Sequence, residues 1–89
     1  MISVGWYVYI LLCGDGSLYT GISDRPSERL EAHRAGRGAK YTKGRGPLSI
    51  VYLESCAGRS EALSREAAVK KLTRLQKWAL IGKAGSPRT

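Results

Sequence analysis

Eighty-nine residues leave room for one small domain with a modest core and exclude a second. A hydrophobic share of 43% is globular and excludes global disorder. Fifteen Lys and Arg against seven Asp and Glu, a net charge of +8, point to a polyanionic partner, either nucleic acid or an anionic membrane surface.

The first predicted element is a strand over 6–12, "WYVYILL", rich in β-branched and aromatic side chains. "GDGS" follows as a turn and "LYTGI" as a second strand, which makes a β-hairpin. A three-residue loop, Gly14-Asp15-Gly16, pairs Cys13 with Ser17, Leu11 with Tyr19 and Tyr9 with Gly21. Tyr7, Tyr9 and Tyr19 then share one face, while Trp6, Val8, Ile10, Leu12, Leu18 and Ile22 form the core face. A two-residue loop would separate the tyrosines, so the longer loop sorts the side chains better. Aromatic residues favour strands for packing alone, so the tyrosine face by itself specifies no chemistry.

"SDRPSERLEAHRAG" reads as a helix capped by Ser23 or Asp24, with Pro26 in its first turn and Gly36 at its end. Arg29 and His33, four apart, fall on one face. "RGAKYTKGRGP", 37–47, is a basic, Gly-rich loop, and "LSIVYLE", 48–54, is the third strand. "GRSEALSREAAVKKL" is a second helix with Ser60 as N-cap and an apolar stripe of Ala62, Leu63, Val69 and Leu72. "TRLQ" spells a capping box between Thr73 and Gln76, so a third helix is expected from there to about Ile81. The order is β-β-α-β-α-α, one domain over 1–82 with a frayed tail over 83–89.

Charge is distributed unevenly. Residues 1–24 contain no Lys or Arg, whereas five bases (Arg34, Arg37, Lys40, Lys43 and Arg45) stand between Glu31 and Glu54 with no acid among them. Phosphate binding explains such clustering better than solubility does. Two Cys and one His cannot make an ordinary four-ligand zinc site without carboxylates. No secretory signal pattern is visible and Val8–Leu12 is too short to span a bilayer, so a cytoplasmic protein with reduced thiols and no membrane partner is expected. Glu66 borders the apolar stripe of the second helix; an exposed i,i+4 pair with Lys70 would explain it without chemistry.

Five elements in order nevertheless resemble a GIY-YIG nuclease domain, and closely its small stand-alone bacterial members. "YVY" (7–9) stands at the GIY position and "YTG" (19–21) at the YIG position, with Tyr9 and Tyr19 ten positions apart. "ERLEAH" supplies the family's Arg as Arg29 and, four later, His33; "EALSRE" supplies its metal-binding Glu as Glu66. The similarity covers residues 6–81, including "KYTKGRGPLSIVY".

The resemblance implies an α+β fold, a three-stranded antiparallel sheet flanked by helices. It also implies a metal-dependent endonuclease cutting phosphodiester bonds in nucleic acid, DNA ahead of RNA, with Mg²⁺ or Mn²⁺ held by Glu66 and no small-molecule cofactor. Tyr9 and Tyr19 match the two tyrosines that accept or relay the proton of the attacking water. Arg29 would hold the scissile phosphate, and His33 would orient a Tyr hydroxyl or contact phosphate. Arg37, Lys40, Tyr41, Lys43 and Arg45 would line the nucleic-acid path. Many active members carry an Asn about a dozen residues after the Glu; here that region holds Trp78, and the chain contains no Asn. Indole offers one donor and no acceptor, so Trp78 is no substitute. A nucleic-acid-binding module of the same fold that cleaves weakly or not at all is therefore the alternative.

Overall fold

The computed structural model describes residues 5–83. Strands β1 (Trp6–Leu12), β2 (Leu18–Ser23) and β3 (Ser49–Cys56) form an antiparallel sheet in the order β2-β1-β3. Helix α1 (Pro26–Arg34) and a 3-10 turn at Lys40–Thr42 lie between β2 and β3; α2 (Arg59–Lys70) and α3 (Arg74–Lys83) follow. This is the α+β order expected from the sequence. The third helix runs to Lys83, and the rest of the expected tail lies outside the described residues.

The hairpin has the three-residue loop. The amide of Cys13 donates to the Ser17 carbonyl at 2.9 Å, and Leu11 faces Tyr19 while Tyr9 faces Gly21. Gly16 takes φ +86°, where a Cβ would be strained. Val8 and Ile10 accordingly enter the core with Tyr52, Cys56, Ala62, Val69 and Ile81; Trp6, Leu18 and Ile22 pack against it. Leu12 is half-buried. Helices α2 and α3 cover this face.

The tyrosine face is covered too, because His33 brings α1 against Tyr9. Tyr9, Leu11 and Cys13 are all buried there. Both cysteines are free and buried, so they act as packing residues. A register shift between Ile10 and Leu11 leaves Val51 as the extra residue of β3, a bulge that the side-chain pattern did not indicate.

Helix ends differ from expectation in two places. Neither Ser23 nor Asp24 caps α1: Pro26 disfavours helical geometry in the residue before it, so Arg25 becomes the N-cap, and Ser23 Oγ accepts its amide at 2.9 Å. Ser60 is already inside α2, whose N-cap is Gly58; Glu61 Oε1 accepts the Ala57 amide instead. Gly36 does end α1, at φ +81°, with Gly36 N–H on the His33 carbonyl and Arg37 N–H on the Ala32 carbonyl. These two bonds are a Schellman closure. Thr73 and Gln76 form the expected reciprocal box, at 2.8 and 3.1 Å. Leu63 leaves the expected stripe and is 40% exposed, since one residue past buried Ala62 rotates it away from the sheet.

Candidate active site at the edge of the sheet

The site is built around the way Tyr9 leaves the sheet. It stands opposite Gly21 on edge strand β2, and its ring crosses the space a side chain there would fill. A Cβ on Gly21 would lie 2.6 Å from the Tyr9 hydroxyl. The glycine of "YTG" thus lets a buried strand tyrosine carry its hydroxyl to the sheet's outer edge.

That hydroxyl meets His33 Nε2 at 3.0 Å. The other ring nitrogen, Nδ1, is held as well. The backbone amide of Ala39 donates to Nδ1 at 3.2 Å, and Thr42 Oγ1 lies 2.8 Å from the same atom. The fixed direction of the Ala39 N–H favours Nδ1 as acceptor and the proton on Nε2, whereas Thr42 Oγ1, which donates to the Ala39 carbonyl at 2.9 Å, is matched by a proton on Nδ1. With the proton on Nε2, the ring donates to the Tyr9 oxygen. Gly38 makes room for this arrangement, since a Cβ there would collide with Nδ1.

Electrostatics follow from the same geometry. Burial, with a smaller contribution from Arg29, lowers the His33 pKa and keeps the ring neutral. Burial raises the Tyr9 pKa, and the Arg29 guanidinium beside its hydroxyl opposes that rise through hydrogen bonding and charge. Tyr19 and Glu66 also act on Tyr9 through their charge. His33 and Arg29 thus meet this hydroxyl, and Tyr19 and Glu66 lie within electrostatic reach of it.

Tyr19 stands edge-on to His33, with ring centroids 5.4 Å apart, and stacks with Tyr41 at 5.8 Å. Arg45 caps Tyr41 at 4.3 Å from the ring centre, donates to the Tyr41 carbonyl and pairs with Asp15 in the hairpin loop. The Asp15 pKa is lowered to about 2, by the Ser17 hydroxyl and amide first and Arg45 after them. Of the expected nucleic-acid contacts, Tyr41 and Arg45 therefore join the cluster. Arg37, Lys40 and Lys43 stand exposed along the loop.

Glu66 reaches the site from α2. Its side chain is 18% exposed and pairs with Lys70 at 3.3 Å, so the i,i+4 pair exists together with, not instead of, proximity to Tyr9. Next to it on the helix, Arg65 turns the other way and holds Glu54 of β3 through Nε, at 2.9 Å to both carboxylate oxygens. Among the described residues no group of three or more His, Cys, Asp or Glu could hold a metal. A lone carboxylate suits a hard cation such as Mg²⁺, which keeps several waters and takes its remaining ligands from phosphate. Trp78 is half-buried against the core, with Arg74 at 5.9 Å from its ring.

Alongside the cluster, an open groove of about 280 Å³ straddles β2. It is lined by Leu18 and Thr20 from the core face, Tyr19 from the other, Tyr41 from the loop, and Lys70 and Lys77 from α2 and α3. Thr20, Thr42, Gly38 and Lys77 carried no sequence signal of a role. Gly21 did, through its register opposite Tyr9.

Comparison with known proteins finds relatives over most of the chain. Residues 5–79 match the GIY-YIG catalytic domain family. The chain is 56% identical over 75 residues to a UPF0213 protein of Clostridium perfringens, covering 84% of this chain and 81% of that one. It is 43% identical over 84 residues to a UPF0213 protein of Cupriavidus pinatubonensis, covering 94% and 93%. The solution structure of a UPF0213 protein from Bacillus halodurans superposes with a TM-score of 0.61 at 43% identity, over 94% of this chain and 89% of that one. Among the described residues no helix is long and apolar enough to cross a membrane.

Proposed function

The chain belongs to the GIY-YIG family, among its UPF0213 proteins, and on that premise we propose that it is a metal-dependent endonuclease hydrolysing phosphodiester bonds in nucleic acid, DNA ahead of RNA. The observation that carries the reading is the Tyr9 hydroxyl, held at 3.0 Å by His33, with the Arg29 guanidinium beside it and Tyr19 and Glu66 within electrostatic reach. A packing tyrosine has no need of a buried histidine and a guanidinium at its oxygen.

Each group has a task. Arg29 grips the scissile phosphate, because its planar fork offers two parallel hydrogen bonds and a charge that opposes the growing negative charge on phosphorus. Tyr9, once its own proton has passed to solvent, takes the proton of the attacking water. Burial disfavours that phenolate, whereas Arg29 and a proton on His33 Nε2 favour it. Tyr19, beside the groove, relays a proton or orients the water. Glu66 is the carboxylate for Mg²⁺ or Mn²⁺, and the bound ion supplies Lewis-acid help to the phosphate oxygens. The exposed Lys40, Lys43 and Arg37 supply sequence-independent attraction to the backbone of the substrate.

A second reading, a binding module of the same fold with little or no cleavage, draws on the missing Asn and on Lys70, which neutralises Glu66 in the free protein. The experiment that separates the two incubates purified protein with linear, branched and single-stranded DNA and RNA in Mg²⁺, Mn²⁺ or EDTA. Metal-dependent products on any substrate support the nuclease. Binding without products across the panel supports the module.

A further inference from the structure

We propose that the groove along β2 is a subsite for one unpaired nucleotide next to the bond that is cut, with Lys70 and Lys77 as the ligands of its phosphate; this rests on the nucleic-acid reading above. Three observations carry it. The two lysines arrive from different helices at one groove whose third basic neighbour, Arg45, already caps Tyr41. The walls are otherwise apolar, from Leu18 and the stacked Tyr19 and Tyr41, which suits a base or sugar ring without regard to sequence. Thr20, which lines the groove and is 3% exposed, has a hydroxyl that is buried without a hydrogen-bond partner among the described residues. Native proteins rarely leave such a group unserved, and a ligand in the groove would serve it after a small shift.

The choice of an unpaired nucleotide follows from what the groove offers. A duplex backbone would use the two lysines and leave the apolar walls and the Thr20 hydroxyl idle. A volume of about 280 Å³ is at the small end for a ligand site and has no room for a stacked base pair.

Occupancy also acts on Glu66. Lys70 is 54% exposed and pairs at 3.3 Å with the Glu66 carboxylate, which is 18% exposed. Its flexible stem and three donors let the ammonium turn to a phosphate. The nucleotide that fills the groove thereby releases the carboxylate beside the bond to be cut.

The test measures anisotropy of a labelled short oligothymidine and of a labelled hairpin duplex in EDTA, so that cleavage plays no part. Replacing Lys70 and Lys77 together with Gln should flatten the single-strand salt slope by roughly 0.7, the worth of the one phosphate they share. Thr20→Val removes the hydroxyl at nearly constant volume. It should weaken single-strand binding about five-fold, the worth of one hydrogen bond, leave duplex binding unchanged and not lower the thermal midpoint. A wild-type salt slope in the lysine variant would overturn the subsite, as would equal loss on both nucleic acids in Thr20→Val. Because Lys70 is exposed and Lys77 half-buried, neither in the core, their variants stay informative even if Thr20→Val misfolds. Wild-type protein that binds neither probe would overturn the nucleic-acid reading itself, a different result from binding that ignores the groove.

Discussion

Tyr9 lies across Gly21: a methyl group on Gly21 would stand 2.6 Å from the Tyr9 hydroxyl and 2.7 Å from its Cζ. Gly21 has no positive φ, so alanine there is hindered by the tyrosine alone. Gly21→Ala should therefore destabilise the fold by about 1–3 kcal/mol through overpacking. In a Tyr9→Leu background the same change should cost much less, because the ring is gone. Denaturant titrations of the four proteins of this cycle give the coupling. Additive effects would mean that Tyr9 does not occupy the Gly21 position.

His33 is the chain's only histidine, which makes its titration readable. Its folded pKa is lowered by burial and by Arg29, while the unfolded imidazole titrates near about 6.5. Between the lowered value and about 6.5 the unfolded state binds more protons, so stability rises with pH in that window and falls as pH drops through it. Thermal midpoints of wild type should hold above pH about 6.5 and decline below it, and His33→Gln should lack that part of the decline. An identical acid-side decline in both proteins would mean that His33 is not buried in its neutral form.

The basic loop divides by task. Arg45→Ala should lower stability by roughly 0.5–1 kcal/mol through removal of the cation–π interaction with Tyr41, with nothing counted for the exposed pair with Asp15. Lys40→Ala with Lys43→Ala should leave the thermal midpoint in place and flatten the salt dependence of nucleic-acid binding by roughly 0.7–0.9 for each phosphate no longer neutralised. An unchanged slope would take both lysines off the nucleic-acid path.

Thr73→Ala should cost about 1 kcal/mol, the ordinary worth of a side-chain cap, read by thermal or denaturant unfolding. That box was legible because both partners lie within one turn. The hairpin register was legible for a similar reason: alternation sorts the side chains only if Cys13 pairs with Ser17, and a wrong register would invert both faces. Features that depend on distant chain segments were not legible. The hairpin loop docks on the basic loop, with the Gly14 amide on the Arg45 carbonyl at 2.6 Å and no room for a Cβ on Gly14 beside Gly46. Neither glycine's neighbours in sequence announce this. The Tyr19–Tyr41 stack and the Ala39 and Thr42 contacts to His33 Nδ1 likewise arise from tertiary packing. Tyr9, Tyr19, Arg29, His33 and Glu66 were legible as a set through their resemblance to a family pattern; their spacing alone left an ordinary Glu66–Lys70 pair equally open, and the structure contains that pair as well.

Glu66→Gln tests the central claim most directly. The change keeps volume and a hydrogen-bonding oxygen but removes the charge that would hold a divalent ion, so fold and nucleic-acid binding should survive. On a substrate that wild type cuts, cleavage in Mg²⁺ or Mn²⁺ should be abolished or nearly so, while the thermal midpoint moves only by the loss of a half-exposed pair with Lys70, under about 0.5 kcal/mol. Equal, metal-dependent cleavage by wild type and Glu66→Gln would contradict the assignment of Glu66 and, with it, the site.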